Sequence, residues 1–269
     1  GTSAIATSLL TLLKAGDHIV ASSSLYGGTY NLLSVTLPRH GITTTFVDPS
    51  DAENFKNAAQ ENTRAFFIES LGNPKLDVLD IEAISKEAKA YKVPLIVDNT
   101  VATPYLLNPI EHGANIVIHS LTKYINGNGT ALGGVIIDGG TFDWANGKFP
   151  EFTEPSPGYH GLVYSEILEA AAFIAKVRIE GLRDYGAALS PFNSFQIIQG
   201  LETLELRIKK HSENALVLAQ WLSEQEQVAW VNYPGLKSSP YHALAQRYLP
   251  EGQSGIVTFG VKGGFEAAK

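Results

Sequence analysis

What most constrains this chain is an alternation of two periods through its first 140 residues. Short β-rich runs stand at 18–22, 42–48, 64–69, 94–98, 115–119 and 134–138, with helical patterns between them. Most of these runs are nearly continuous apolar stretches, such as Ala65-Phe66-Phe67-Ile68 and Leu95-Ile96-Val97. That composition suits strands buried on both faces. The helical pattern at 3–13 stops at Lys14-Ala15-Gly16, and the one at 81–92 ends before Pro94. Strand and helix in regular alternation build βαβ units, hence an α/β fold with a mostly parallel sheet covered by helices.

The rhythm breaks after Gly140. Residues 142–159 hold Trp144, Pro150, Pro155 and Pro157 among several Gly and Asn, and read as a long surface loop. A helix is expected at 162–179, then a longer helical run at 191–224 interrupted at Gly200. Strands at 228–233 and 256–261 suggest a second, α+β unit. The expected division is a large domain over 1–190, then a linking helix and the first part of a smaller C-terminal domain over 191–269. Gly1-Thr2-Ser3 already reads as the entry to a helix, and the chain stops at Lys269 just after Gly263-Gly264, so both ends read as cut from a longer polypeptide.

Composition excludes several classes. The chain has 269 residues, 20 Lys and Arg against 27 Asp and Glu, and a net charge of −7, which argues against a general nucleic-acid binder. There is no cysteine, so no disulfide scaffold, thiol nucleophile or thiolate metal site, and no metal is expected. No apolar run approaches the ~18–20 residues of a membrane helix, and no secretory signal is visible. A cytoplasmic location is the expectation.

In an open parallel sheet, ligands bind beyond the carboxyl ends of the strands. Ser22, Ser23, Ser24 and Tyr26 follow the first strand; Glu69, Ser70 and Asn73 the third; Asp98, Asn99 and Thr100 the fourth; Ser120, Thr122, Lys123 and Tyr124 the fifth. The helix entered at Gly1 and Thr2 would face the same rim, and a helix N-terminus attracts phosphate. Singly, each residue has a plain structural reading: a strand-end Asp caps a loop, Asn73-Pro74 is a turn, a lone Lys is solvated. Together they suit pyridoxal 5'-phosphate chemistry. A Lys amine forms the Schiff base and an Asp pairs with the pyridinium nitrogen. An aromatic ring stacks on the pyridine, and hydroxyls hold the phosphate.

The motifs also resemble a family. Tyr26-Gly27-Gly28-Thr29, Glu69-Ser70-Leu71-Gly72-Asn73-Pro74, Asp98-Asn99-Thr100-Val101-Ala102-Thr103-Pro104 and His119-Ser120-Leu121-Thr122-Lys123-Tyr124 are similar, in order, to the Cys/Met-metabolism pyridoxal-phosphate enzymes. So is Gly200-Leu201-Glu202-Thr203-Leu204 with Arg207 and His211. The resemblance implies the fold of the type I pyridoxal-phosphate transferases. It implies that Lys123 carries the cofactor and moves protons, and that Asp98 binds the ring nitrogen. Tyr26 would stack on the ring and assist the leaving group. Asn73 would bond the phenolic oxygen, with Glu69 supporting the site. Ser120, Thr122 and the amides of Gly1 and Thr2 would hold the phosphate.

Gly133-Gly134-Val135 through Trp144, and Phe149-Pro150 through Tyr164, are similar to the branch that joins sulfide to O-acetyl-L-homoserine, giving L-homocysteine and acetate in methionine biosynthesis. Elimination of the γ-substituent, as in the methionine γ-lyases, is the alternative within the family. A dehydrogenase, suggested by Gly127-Asn128-Gly129, and a non-catalytic fragment are the alternatives outside it. The resemblance further implies a homo-oligomer, commonly a tetramer, with each site shared across a dimer. A segment before Gly1 would give a Tyr and an Arg to the neighbouring subunit's phosphate, and the Arg that grips the substrate carboxylate would lie beyond Lys269. Where the family commonly has Gly-Gly-His-Gly after the Lys, this chain has Asn126-Gly127-Asn128-Gly129.

Overall fold

A computed structural model describes Gly1–Ala268. Its main sheet contains β1 (His18–Ser22), β2 (Thr43–Val47), β3 (Thr63–Glu69), β4 (Leu95–Asp98), β5 (Ile116–Ser120) and β6 (Gly134–Asp138) in the order β2-β1-β3-β4-β5-β6. β1 to β5 run parallel, and β6 closes the edge antiparallel to β5. The mostly parallel sheet expected from the apolar runs is therefore present.

Both faces of the sheet carry a core. Phe66, Ile68, Val97 and Val117 point to one side, where the helix Ile81–Ala90 buries Ile81, Ile84 and Ala88. Phe67, Ile96, Ile116 and Ile118 point to the other, against Ile5, Leu9 and Leu12 of the helix Thr2–Leu12. The side chains of β3 thus alternate between two apolar environments, which is why its sequence shows no alternation. Asp80 caps the helix Ile81–Ala90, its carboxylate accepting from the Ala83 N–H at 3.1 Å.

Three expectations are corrected. Residues 142–159 are not a surface loop: Trp144 is 3% exposed, and Phe149 and Phe152 are fully buried. Trp144 stacks on Phe152 at 4.3 Å and on Phe173 at 5.3 Å between ring centroids. Four aromatic rings bury enough area to outweigh the Pro, Gly and Asn around them. Residues 162–179 are not one helix but short turns at Tyr164–Ile167 and Glu169–Ala171, a helix at Ala172–Lys176 and a wide π turn at Val177–Leu182. The run at 191–224 is two helices, Pro191–Leu201 and Leu204–Ser223, broken at Glu202 and Thr203, with Gly200 inside the first. The reason for that placement of Gly200 is a close approach from the sheet side, described below.

A second sheet pairs β7 (Val228–Asn232) with β8 (Thr258–Val261), antiparallel. The helix His242–Tyr248 returns to the main body, where Tyr248 donates its hydroxyl to Asp80 at 2.7 Å. A last helix occupies Gly264–Ala268; the expected continuation at Lys269 lies outside the described residues. Among the described residues no helix is long and apolar enough to cross a membrane.

Candidate active site

Glu69, Asp98 and Ser120 are the last residues of β3, β4 and β5, so parallel pairing brings them to one rim. They open into a cleft of ≈ 1250 Å³ whose lining includes Gly1, Thr2, Tyr26, Glu69, Asn73, Asp98, Ser120, Thr122 and Lys123. The nine residues to which the resemblance gives cofactor roles all line it, as do Thr100 and Tyr124, whereas Ser22, Ser23, Ser24, Ser70 and Asn99 do not. Gly127-Asn128-Gly129 does not open a helix after a first strand, as a dinucleotide loop does, but leads into the edge strand β6.

Asp98 is almost wholly buried. One of its oxygens accepts from the Thr100 N–H at 3.0 Å and from the Thr100 hydroxyl. Burial pushes its carboxyl above the ordinary range, which the Thr100 bonds offset in part. Thr100 Oγ1 also accepts from the Ser120 N–H at 2.7 Å, so one hydroxyl ties the ends of β4 and β5 together.

Glu69 stands in register with Asp98. Its Oε1 accepts from the Tyr26 N–H at 2.6 Å, which anchors the loop carrying the half-exposed Tyr26 ring. Burial, then the neighbouring Asp98, raise the Glu69 carboxyl to about 8, against the backbone hydrogen bonds of Tyr26 and Asn73. The sign follows from linkage. A native pKa above the unfolded one gives stability that is complete below the ordinary carboxylate range and is lost as pH rises through about 8. In Glu69→Gln the amide oxygen still accepts from Tyr26 but no longer titrates. The thermal midpoint of the cofactor-free variant is therefore expected to fall less between pH 5 and pH 8 than that of the parent, by about 2–4 °C for each kcal/mol of titration removed. Thermal melts across that pH range check this, and parallel curves would refute it.

One end of the cleft is built from the helix Thr2–Leu12. Its first turn closes with the Ala4 N–H on Gly1 O at 2.9 Å, which leaves the Thr2 and Ser3 N–H groups without intrahelical partners. A Cβ on Gly134 would stand 2.5 Å from Gly1 N, so the glycine at the start of β6 lets the helix end reach the sheet. Thr122 Oγ1 accepts from the Gly133 N–H at 3.1 Å and holds this edge in place.

These groups fit pyridoxal 5'-phosphate. A desolvated carboxylate with one oxygen already bonded suits a cationic ring N–H. Free amides and the Ser120 hydroxyl beside a helix N-terminus suit a phosphate. An amine and an aromatic ring share the same cleft.

The profile of the Cys/Met metabolism PLP-dependent enzymes matches residues 1–269. The chain belongs to this family. It is 55% identical over its whole length to the O-acetyl-L-homoserine sulfhydrylase of Leptospira meyeri and covers 63% of that protein. It is 51% identical over 98% of its length to the homocysteine synthase of Schizosaccharomyces pombe, covering 62% of it. The chain therefore spans somewhat less than two thirds of these relatives. Its fold superposes with a TM-score of 0.93, at 41% identity, on a putative O-acetylhomoserine (thiol)-lyase from Campylobacter jejuni that carries pyridoxyl-lysine monophosphate, over 97% of this chain and 65% of that one. With the O-acetylhomoserine sulfhydrylase of Wolinella succinogenes the TM-score is 0.86 at 39% identity, over 97% of this chain and 70% of that one.

Sequence reasoning placed Thr100 past the fourth strand but gave it no role. Its signal was there: a hydroxyl two residues after a strand-end Asp is the Asx-turn pattern, in which the carboxylate takes the N–H two residues on.

Proposed function

We propose that this chain binds pyridoxal 5'-phosphate on Lys123 and exchanges the acetate of O-acetyl-L-homoserine for sulfide, giving L-homocysteine and acetate in methionine biosynthesis. The observation that carries the reading is the meeting of Lys123, Asp98 and Tyr26 in one cleft of a chain 55% identical to an O-acetyl-L-homoserine sulfhydrylase.

When bound, the cofactor supplies an electrophilic carbonyl and a ring that draws electrons from the substrate Cα. Asp98 would pair with the ring nitrogen and keep its proton there, with Thr100 fixing the carboxylate's direction. The backbone N–H groups of Gly1 and Thr2, with that of Ser3 beside them, and the hydroxyls of Ser120 and Thr122 would hold the phosphate. Asn73 would bond the phenolic oxygen, and Glu69 holds the loop of Tyr26, whose ring would stack on the cofactor. Lys123 Nζ anchors the cofactor. With the cofactor bound, the Lys123 amine would take the proton from the substrate Cα and carry it within the site. Tyr26 assists acetate as it leaves Cγ, where sulfide adds.

The polypeptide divides into 1–190 and 191–269, a reading supported by the separate β7–β8 sheet. It works in the cytoplasm as a homotetramer with sites shared across a dimer. Large apolar side chains left on the surface, including Leu132 in the cleft wall and Phe192 and Phe195 on the helix Pro191–Leu201, support an oligomer.

The test is a product assay on the cofactor-loaded protein with O-acetyl-L-homoserine, with and without sulfide. Homocysteine and acetate in equal amounts, formed only with sulfide, are expected. An α-keto acid and ammonia released without sulfide would overturn replacement in favour of elimination.

A further inference from the structure

Lys123 sits in a tight turn. Its carbonyl accepts from the Gly127 N–H at 2.8 Å, and the Asn126 N–H reaches Leu121 O at 3.0 Å. This turn touches the break between the helices Pro191–Leu201 and Leu204–Ser223. Arg207 stands at the contact. Its Nη2 donates to Gly200 O at 2.8 Å and to Ile125 O at 3.4 Å, and its Nε donates to Thr203 Oγ1 at 3.0 Å. A Cβ on Gly127 would lie 2.4 Å from Arg207 Cζ, so the guanidinium rests directly on the backbone of that residue. Gly127 has a φ of 70°, which also favours glycine. From the other side, a Cβ on Gly200 would lie 1.8 Å from Asn126 O. The two backbones meet without a side chain between them, and the guanidinium ties them across that seam.

We propose that Arg207 is a positioning residue for Lys123: by binding the carbonyls of Ile125 and Gly200 at once, it sets the direction in which Lys123 meets the cofactor and the substrate Cα. The inference rests on the reading of Lys123 as the cofactor lysine. Its geometry needs the planar fork of arginine. An ammonium has no rigid pair of nitrogens to reach Thr203 on one side and two carbonyls on the other. Turns 125–127 and 200–203 are far apart in sequence, and their mutual angle is set where they pack: by the Gly200–Asn126 approach, the Tyr124–His211 ring contact and the Arg207 bonds. Displacement of a reacting group by an ångström is enough to slow a reaction strongly.

The experiment compares cofactor-loaded parent, Arg207→Ala, Arg207→Lys and Thr203→Val. Borohydride trapping with peptide mass analysis locates the cofactor. Circular dichroism of the cofactor absorption band reports its fixed orientation, far-ultraviolet dichroism reports the fold, and steady-state kinetics separate kcat from KM. Arg207→Ala is expected to keep the fold and the trapped Lys123, to lose most of the cofactor-band dichroism, and to lower kcat by about 10–100-fold with KM shifted less than about threefold. Arg207→Lys recovers only part of either signal, and Thr203→Val shows the same pattern more weakly. Parent-like dichroism and kcat in Arg207→Ala would overturn the proposal, as would full recovery in Arg207→Lys. Should Arg207→Ala not fold, parent-like dichroism and kcat in Thr203→Val and Arg207→Lys together overturn it. Failure of the underlying reading is separate: it shows as no trapping at Lys123 in the parent itself.

Discussion

Lys123→Ala is expected to abolish covalent attachment of pyridoxal 5'-phosphate and to lower turnover by on the order of 10⁴-fold or more. General acid–base catalysis alone contributes ~10²–10⁴-fold, and the proposed function gives this residue both the proton transfer and the cofactor link. Borohydride reduction followed by mass analysis reads the first effect: the parent gains a stable adduct on the peptide holding Lys123, and the variant does not. The fold should be intact, because Lys123 lines the cleft and the turn around it is closed by backbone bonds from Gly127 to Lys123 and from Asn126 to Leu121. An adduct of equal yield in the variant would place the cofactor elsewhere and sink the assignment.

Asp98→Asn should act in opposite directions with and without the cofactor. In the cofactor-free protein the buried carboxylate is a liability. Its native pKa is raised, so the stability it lends is complete below the ordinary Asp range and is lost as pH rises through the raised value. An amide of the same shape, which can still accept from Thr100, removes that loss. At neutral pH the cofactor-free variant should melt higher than the parent, by about 2–4 °C for each kcal/mol recovered. With the cofactor present the sign is expected to reverse, since under the proposed function the ring N–H then lacks its carboxylate. Removing one member of a buried pair costs about 3–5 kcal/mol, or roughly 10²–10⁴-fold in turnover and cofactor affinity together. Melting curves with and without pyridoxal 5'-phosphate, alongside kinetics, check both halves. A cofactor-free variant that melts lower than the parent would refute the first. Parent-like turnover would refute the second.

Much of this site was legible because a strand end is a local event. Leu95-Ile96-Val97-Asp98 announces both the strand and the polar residue that leaves it, and Ile116 to Ser120 does the same for the next strand. Parallel pairing then delivers both to one rim without further information. The aromatic segment at 142–159 was misread for the opposite reason. Its prolines and glycines are local signals, whereas the burial of Trp144 between Phe152 and Phe173 depends on a partner beyond the segment. The break near Gly200 was read one turn early because glycine is a helix-breaking signal in isolation. In the fold, Gly200 is retained inside the helix since only a residue without a side chain admits the Asn126 carbonyl.

The sequence by itself determined the α/β class, the six strands of the main sheet and the set of polar residues beyond their carboxyl ends, because each rests on the periodicity of a few neighbouring residues. The tertiary structure alone decided how those residues act on one another. Glu69 meets Asp98 through the register of β3 and β4, and Tyr26 meets Glu69 across 43 residues of chain. Thr100 reaches Ser120 across 20 residues, and Arg207 reaches Ile125 across 82 residues. A slip of one residue in the pairing of β3 with β4 would turn their side chains to the opposite face. Contacts of that kind are set by packing of the whole molecule, and no local pattern in the chain encodes them.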